Sequence, residues 1–335
     1  MTIKDLSAQT GYSVGTISRV LNNQPNVSEK ARKTILDAAN SCGFRLNSNA
    51  KQLKQQRGTS VLLISKGTSN DMFRSLTEAI QSRMQNYPLI VDYMDEDANE
   101  VLRAQELCQE KKPLGILFLG GNTESFRKDF HFIDVPCVLI TGSAAGLAFD
   151  NLSSVTTDDY LAGYQAISHL VGLGHRKIAV VGGNPEISTI TRLRYEGCYE
   201  AMRRYRIDFD SEKDCYIGRF SFSDGYHGVT TLLDAGREFT AIFAMADVMA
   251  IGAIRALQDR GLRVPEDVSV IGLDGLAIGD YMLPRLTTVR QSVEELADRA
   301  VQILEQQLSA AALTPRHETI PSAVDAKEST HSLKE

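Results

Sequence analysis

At 335 residues, with 43% hydrophobic and 23% charged side chains, the chain is long enough for two or three folding units and has the balance of a globular protein. No run approaches the roughly 18 apolar residues of a membrane span, and the opening MTIKDLSAQT has neither a basic nor an apolar signal segment, so a cytoplasmic location with no membrane partner is expected. The net charge of −6 is unevenly spread: residues 1–57 hold nine Lys or Arg against three acids, a net +6 that leaves −12 for the rest.

A basic head on an acidic body points to a head that meets a polyanion while the body is repelled by it. A solvated basic face is the plain alternative. The head itself reads as three short helices. Thr2 caps a first helix with Ile3, Leu6 and Ala8 facing inward, Gly11 ends it in the left-handed conformation, and Ser13 caps a second. In the second helix Ile17, Val20 and Leu21 form an inward stripe. That leaves Val14, Gly15, Thr16, Ser18, Arg19 and Asn22 on the amino-terminal and outer surface, where a recognition helix meets base edges and phosphates. A third helix follows in VSEKARKTILDAANSCGF, capped by Ser28 and packed through Ile35, Leu36, Ala39 and Phe44. The pattern is helix-turn-helix; a three-helix protein-interaction module is the alternative, and the basic charge counts against it.

RLNSNAKQLKQQRGTS is polar and basic, and in the free protein it reads as a solvated linker. Ala50 and Leu53, three apart, share one side of a short helix formed on DNA, from which Leu53 wedges into the minor groove.

From Thr59 onward the bursts VLLI, LIVDY, GILFLG, VPCVLIT, KIAVVGG, TAIFAMA and VSVIGLD alternate with amphipathic stretches such as MFRSLTEAIQSRM and VMAIGAIRALQDRG. Short runs of branched residues between helices predict an α/β body of two doubly wound lobes. Gly182-Gly183 is not a dinucleotide fingerprint and no Walker loop occurs. The five cysteines, Cys42, Cys108, Cys137, Cys198 and Cys215, lack metal spacing and suit reduced thiols, so no metal or other cofactor is expected.

Ligands of such sheets sit beyond the carboxyl ends of the strands or between lobes. Asn70, Arg192, Arg194, Phe220, Asp247 and Asp274 follow strand ends closely enough to converge there. Arginines, carboxylates and an aromatic plate suit a polyhydroxylated, sugar-like solute. Each also has a plain structural explanation: Arg194 a salt bridge on its helix, Asp247 a helix N-cap, Phe220 a core side chain. Two acids in a cleft raise the idea of a glycosidase, but no nucleophile and base stand at motif spacing, and no enzyme is expected.

The stretch MTIKDLSAQTGYSVGTISRVLNNQPNVSEKARKTILDAANSCGFRLNSNAKQL resembles the start of the lactose-repressor (LacI/GalR) family of bacterial transcription regulators. The likeness continues through HLVGLGHRKIAVVGG, RLRYEGCYEAM, DVMAIGAIRALQDRGLRVPEDVSVIGLD and PRLTTVRQ to AKEST, nearly the whole chain. It implies a homodimer whose paired heads bind a near-palindromic DNA operator. The body would resemble a periplasmic sugar-binding protein, its lobes joined by three crossovers near Asp158–Ala162, Leu286–Ser292 and Glu318–Ser322. The implied divisions are a DNA-binding head at 1–45, a hinge helix and linker at 46–58, and an effector-binding and dimerisation body at 59–335.

By position, Val14 and Gly15 match the family's variable base-reading pair, Thr16, Ser18, Arg19 and Asn22 its recognition-helix contacts, and Ser28 a phosphate contact. Asn47, Ala50 and Leu53 match the hinge helix, and Arg194, Phe220 and Asp274 match effector-binding positions. Leu46 replaces the usual Pro, Asn49 a small or apolar residue, Ala246 an Asn or Ser, and GLDG the usual Gly-Phe-Asp-Asp. No heptad tail follows KEST, so a dimer is expected rather than a tetramer. The resulting expectation is a repressor of carbohydrate-use genes released by a small sugar-like effector, with a corepressor-dependent regulator as the alternative.

Overall fold

A computed structural model of the chain describes residues 7, 9–21, 27–41, 58–67 and 71–333. The chain divides into two compact units, Met1–Arg57 and Gly58–Glu335.

In the first unit, helices α1 (Val14–Leu21) and α2 (Glu29–Ser41) are both begun by serine caps. Ser13 Oγ accepts the Thr16 backbone N–H at 3.2 Å, and Ser28 Oγ accepts that of Ala31 at 3.3 Å. Gly11, at φ 71°, makes the left-handed turn ahead of α1. Ile17 and Val20 close on Ile35 and Ala39, with Tyr12, Val27 and Ala38 at the rim of this small core. Leu36 is a correction to the sequence pattern: Ile35 and Ala39, one turn apart, take the inward stripe, and Leu36, about 100° further round α2, is exposed. Thr2, Ile3, Leu6, Ala8 and Phe44 lie outside the described residues.

The second unit holds two six-stranded sheets. Its strands are β1 (Val61–Lys66), β2 (Leu89–Met94), β3 (Gly115–Leu119), β4 (Cys137–Ile140), β5 (Leu152–Thr157), β6 (Ile178–Gly182), β7 (Cys215–Ile217), β8 (Ala241–Ala244), β9 (Ser269–Asp274), β10 (Thr287–Arg290), β11 (His317–Ile320) and β12 (Ala323–Asp325). The first sheet runs β11-β5-β4-β3-β1-β2 and is parallel throughout. The second runs β12-β10-β9-β8-β6-β7, with only β12 antiparallel. In the first lobe β1, β2 and β3 lead into α3 (Asp71–Arg83), α4 (Glu100–Lys111) and α5 (Thr123–Asp129). The second lobe opens with α6 (Asp159–Gly172), and there β6, β7 and β8 lead into α7 (Thr189–Arg204), α8 (Phe222–Asp234) and α9 (Asp247–Asp259). After β10 comes α10 (Val293–Ser309), which packs back on β3, β4 and β5 of the first lobe. The chain therefore passes between the lobes three times, at Asp158, at Gln291 and Ser292, and at Pro321 and Ser322.

The apolar bursts in the sequence become strands because both faces of a parallel sheet are covered. β5, LSSVTT, is equally buried but polar. Its two serine hydroxyls find partners: Ser153 Oγ accepts Gln307 Nε2 at 2.7 Å and the Arg316 N–H at 3.0 Å, and Ser154 Oγ accepts the Ala144 N–H at 3.0 Å. Helices α6 and α7 approach backbone to backbone through two glycines. A Cβ on Gly163 would lie 2.1 Å from the Arg194 carbonyl oxygen, and one on Gly197 only 1.9 Å from that of Tyr160. Among the described residues no helix is long and apolar enough to cross a membrane.

The carboxy-terminal stretch is fastened by neutral histidines. His175 is buried and its ring nitrogens bond to Thr240 Oγ1 at 3.0 Å and the His331 carbonyl at 3.1 Å, while His169 Nε2 meets Thr330 Oγ1 at 3.1 Å. Burial holds both imidazoles below their ordinary range. In the unfolded chain they take a proton near pH ~6.5, so their contribution to stability is present above that pH and declines as pH falls toward the folded-state values. The melting temperature should drop between pH ~7 and pH ~5, and a His169→Gln, His175→Gln double variant should show a shallower drop. Identical slopes in the two proteins would remove these histidines from the pH response.

Candidate functional site

A cavity of about 150 Å³ opens between the two lobes at the carboxyl ends of both sets of strands. The first lobe lines it with Lys66, Phe73, Asn122 and Thr141; the second with Thr191, Arg194, Phe220 and Asp274; Gln291 lines it from a crossing.

Arg194 is set by the close contact of α6 and α7. It is buried, donates from Nε to Asp159 Oδ1 at 2.9 Å and from Nη1 to the Met245 carbonyl at 2.8 Å, and so joins the start of α6 to the end of β8. Burial raises the Asp159 carboxyl, with Arg194 pulling it back. Asp274 ends β9 at φ 133°, a strained backbone for a residue with a Cβ. Gln291 holds it twice, through Nε2 to Oδ1 at 2.9 Å and through its own N–H to the Asp274 carbonyl at 3.0 Å. Burial pushes the Asp274 carboxyl up to about 8, with Arg194 opposing and Asp247 adding to the rise. The Phe220 ring lies over Gly183, where a Cβ would come within 2.7 Å of it. Thr141 Oγ1 and Thr191 Oγ1 are buried at this cavity with no protein partner among the described residues.

Two residues expected to converge here do not. Asp247 is fully buried beneath the wall: its Oδ2 accepts the N–H groups of Gly275 at 2.8 Å and Leu276 at 2.6 Å, and its Oδ1 accepts the Thr288 hydroxyl at 2.6 Å. Proximity to a strand end placed it correctly along the chain, but its side chain turns back onto β10, under Gly272, where a Cβ would be 2.2 Å from Oδ1. Arg192 is exposed and lines a neighbouring cavity of about 450 Å³ with Arg127, Glu124 and Glu186. Two residues apart on α7, Arg192 and Arg194 point about 200° from one another and cannot share a wall. Asn70 lies outside the described residues. The residues that sequence reasoning missed are Lys66, Thr141, Thr191 and Gln291; Lys66 is the last residue of β1 and Thr141 the first after β4, the same strand-end signal that singled out Asp274.

In the first unit Arg19 is exposed on α1, Thr16 is half-buried beside Ser13, and Ser28 is exposed at the start of α2. Val14, Gly15 and Ser18 also lie on α1. Asn22, Asn47, Ala50 and Leu53 lie outside the described residues.

Residues 2–47 match the bacterial regulatory proteins of the lacI family, and residues 167–330 match the periplasmic binding protein-like domain. The HTH-type transcriptional regulator MalR of Clostridium butyricum is 32% identical over 313 residues, 91% of this chain and 92% of that protein. The chain belongs to the lacI family. Catabolite control protein A of Priestia megaterium is 30% identical over 98% of this chain and 99% of its own. A lacI-family regulator from Enterococcus faecium, solved with bound ribose, superposes with a TM-score of 0.71 at 25% identity, covering 82% of this chain and 100% of that one. As a lacI-family member the chain is a DNA-binding transcription regulator, not an enzyme, with a helix-turn-helix unit and a periplasmic-binding-protein-like body.

Asp247 carries a structural consequence. Asp247→Ala strands two backbone N–H groups and a hydroxyl, each costing about 1–3 kcal/mol when buried without a partner. Urea denaturation should show a loss of about 3 kcal/mol or more; a loss under about 1 kcal/mol would mean that those groups find other acceptors.

Proposed function

We propose that this lacI-family protein is a repressor of carbohydrate-use genes that acts in the cytoplasm as a homodimer, binds a near-palindromic operator through its first unit, and is released by a small sugar-like effector bound in the cleft. The observation that carries this reading is the cavity itself: a guanidinium, a carboxyl group and an aromatic ring, at Arg194, Asp274 and Phe220, brought together from separate elements with two unpartnered hydroxyls beside them. Donors and acceptors on one wall with a flat apolar surface on another suit a ring carrying hydroxyls. The ribose found in the Enterococcus faecium relative is of that class. The body also holds Tyr281 at 89% exposure and Leu283 at 87%, with Ile278 nearby. Such a projecting apolar knob supports a self-complementary dimer contact.

Control needs no contact between effector and DNA. An effector that binds one arrangement of the lobes more tightly than another shifts operator affinity by its differential affinity for the two states. The base-reading positions are assigned to Val14 and Gly15, of which Gly15 offers no side chain to a base, further groove and backbone contacts to Thr16, Ser18, Arg19, Asn22 and Ser28, and the hinge helix to Asn47, Ala50 and Leu53, with Leu53 as the minor-groove lever.

The test begins with an operator selected from random duplex DNA and an effector found by thermal-shift screening of sugars, since a ligand of the native state must raise its midpoint. Adding effector to the complex should release the DNA; strengthened binding would instead make the ligand a corepressor. Arg19→Ala should cost about 1–3 kcal/mol of operator affinity with the fold intact. Phe220→Ala should leave effector-free operator binding unchanged and raise the effector concentration needed for release by about 10- to 150-fold, the worth of one buried apolar side chain. A response at the wild-type concentration would move the effector out of this cleft. Arg194→Ala is a poorer probe, because it leaves the buried Asp159 without its partner.

A further inference from the structure

A neutral polyol needs no ammonium group, yet Lys66 lines the cavity with its side chain only 15% exposed. Its Nζ donates to Glu100 Oε2 at 2.7 Å, and the other oxygen of that fully buried carboxylate accepts the Asn122 N–H at 2.6 Å. Glu100 is not part of the lining, so it balances the charge from behind the wall and engages one of the three Lys66 donors. From the opposite lobe, Arg194 engages Nε and one Nη1 donor with Asp159 and Met245, out of five N–H groups. The acceptors on the same walls have less to offer. Asp274 Oδ1 already holds Gln291, and burial pushes the Asp274 carboxyl up to about 8, which reduces its negative charge near neutral pH; burial also raises the Glu96 carboxyl. The cavity thus presents a surplus of donors, two of them cationic and on facing lobes, with the hydroxyls of Thr141 and Thr191 adding to it. Its volume of about 150 Å³ suits one sugar ring rather than a chain of them.

We propose that the effector is a monosaccharide-sized sugar acid whose carboxylate pairs with Lys66. The inference rests on the reading of this cleft as the effector site. It gives a role to the lysine at the end of β1 and to the buried carboxylate that makes it tolerable there.

Isothermal titration calorimetry on the full chain tests it with glucuronate against glucuronamide, galacturonate against galacturonamide, and gluconate against gluconamide, pairs of nearly equal size that differ in charge. At least one acid should bind about tenfold or more tighter than its amide, about 1.4 kcal/mol or more. Lys66→Met alone strands Glu100, so the informative variant is Lys66→Met with Glu100→Gln, in which the acid should fall to the level of its amide; Lys66→Arg should keep the preference. Amides that bind as tightly as the acids, acids that keep their advantage in the double variant, or no measurable binding by any acid would each overturn the proposal. Phe220→Ala separates the two readings. Sugar binding without an acid preference, but lost in Phe220→Ala, sinks the sugar-acid inference alone; binding that survives Phe220→Ala sinks the cleft assignment with it.

Discussion

Arg194 reaches Asp159 because Gly163 and Gly197 let two helices touch along their backbones. Any side chain at either glycine would fall about 2 Å from a carbonyl oxygen of the other helix and force the pair apart. The guanidinium then spans three elements: the start of α6 beside the first crossing, its own α7, and the carbonyl of Met245 after β8. A buried ion pair of this kind adds little net stability after desolvation, but it fixes position. The cleft wall, the crossing and the sheet end are held as one piece by it, and both Asp274 and Phe220 take their places around that piece.

A second fixed point lies under β9. Asp274 and Gly275 both have positive φ, at 133° and 81°, and the turn they make aims the N–H groups of Gly275 and Leu276 at one carboxylate oxygen of Asp247. Successive backbone donors of this kind form a concave seat for an anion. The GLDG sequence, where relatives of this type were expected to carry Gly-Phe-Asp-Asp, therefore has a backbone reason: glycine is at ease in the conformation that follows Asp274. Ala246, just before Asp247, makes no side-chain cap on α9, and the structure gives no reason for an alanine there.

The alternation of apolar bursts and amphipathic stretches revealed the two-lobed α/β body because buried parallel strands advertise themselves in branched residues. β5 did not advertise itself: Ser153, Ser154, Thr156 and Thr157 are buried in the sheet, two of them with partners supplied by segments far away in sequence. The site was legible to the same degree. Strand ends located Arg194, Phe220 and Asp274, and helical phase alone would have separated Arg192 from Arg194. No pattern in the sequence says that the Asp247 side chain turns under the wall, because that depends on Gly272 leaving room on the neighbouring strand β9. Lys66 was hidden for a different reason, as the single charged residue closing an apolar burst. Its partner Glu100 stands 34 residues further on, at the start of α4.

The threefold passage of the chain also fixes the order in which the sheets acquire their borders. β5 is buried on all its residues, yet its outer neighbour β11 is supplied only by residues 317–320, and β12 flanks β10 only by residues 323–325. Both late strands are short and carry charged or polar side chains, His317 and Glu318 in one and Asp325 in the other, which is how an edge is made unattractive to another sheet. While the chain emerges from the ribosome, the first lobe waits with a long, hydroxyl-lined edge open until the second lobe has been made almost in full. A product cut short before residue 317 would carry two unguarded borders, and self-association through them, rather than loss of either core, would be its characteristic failure.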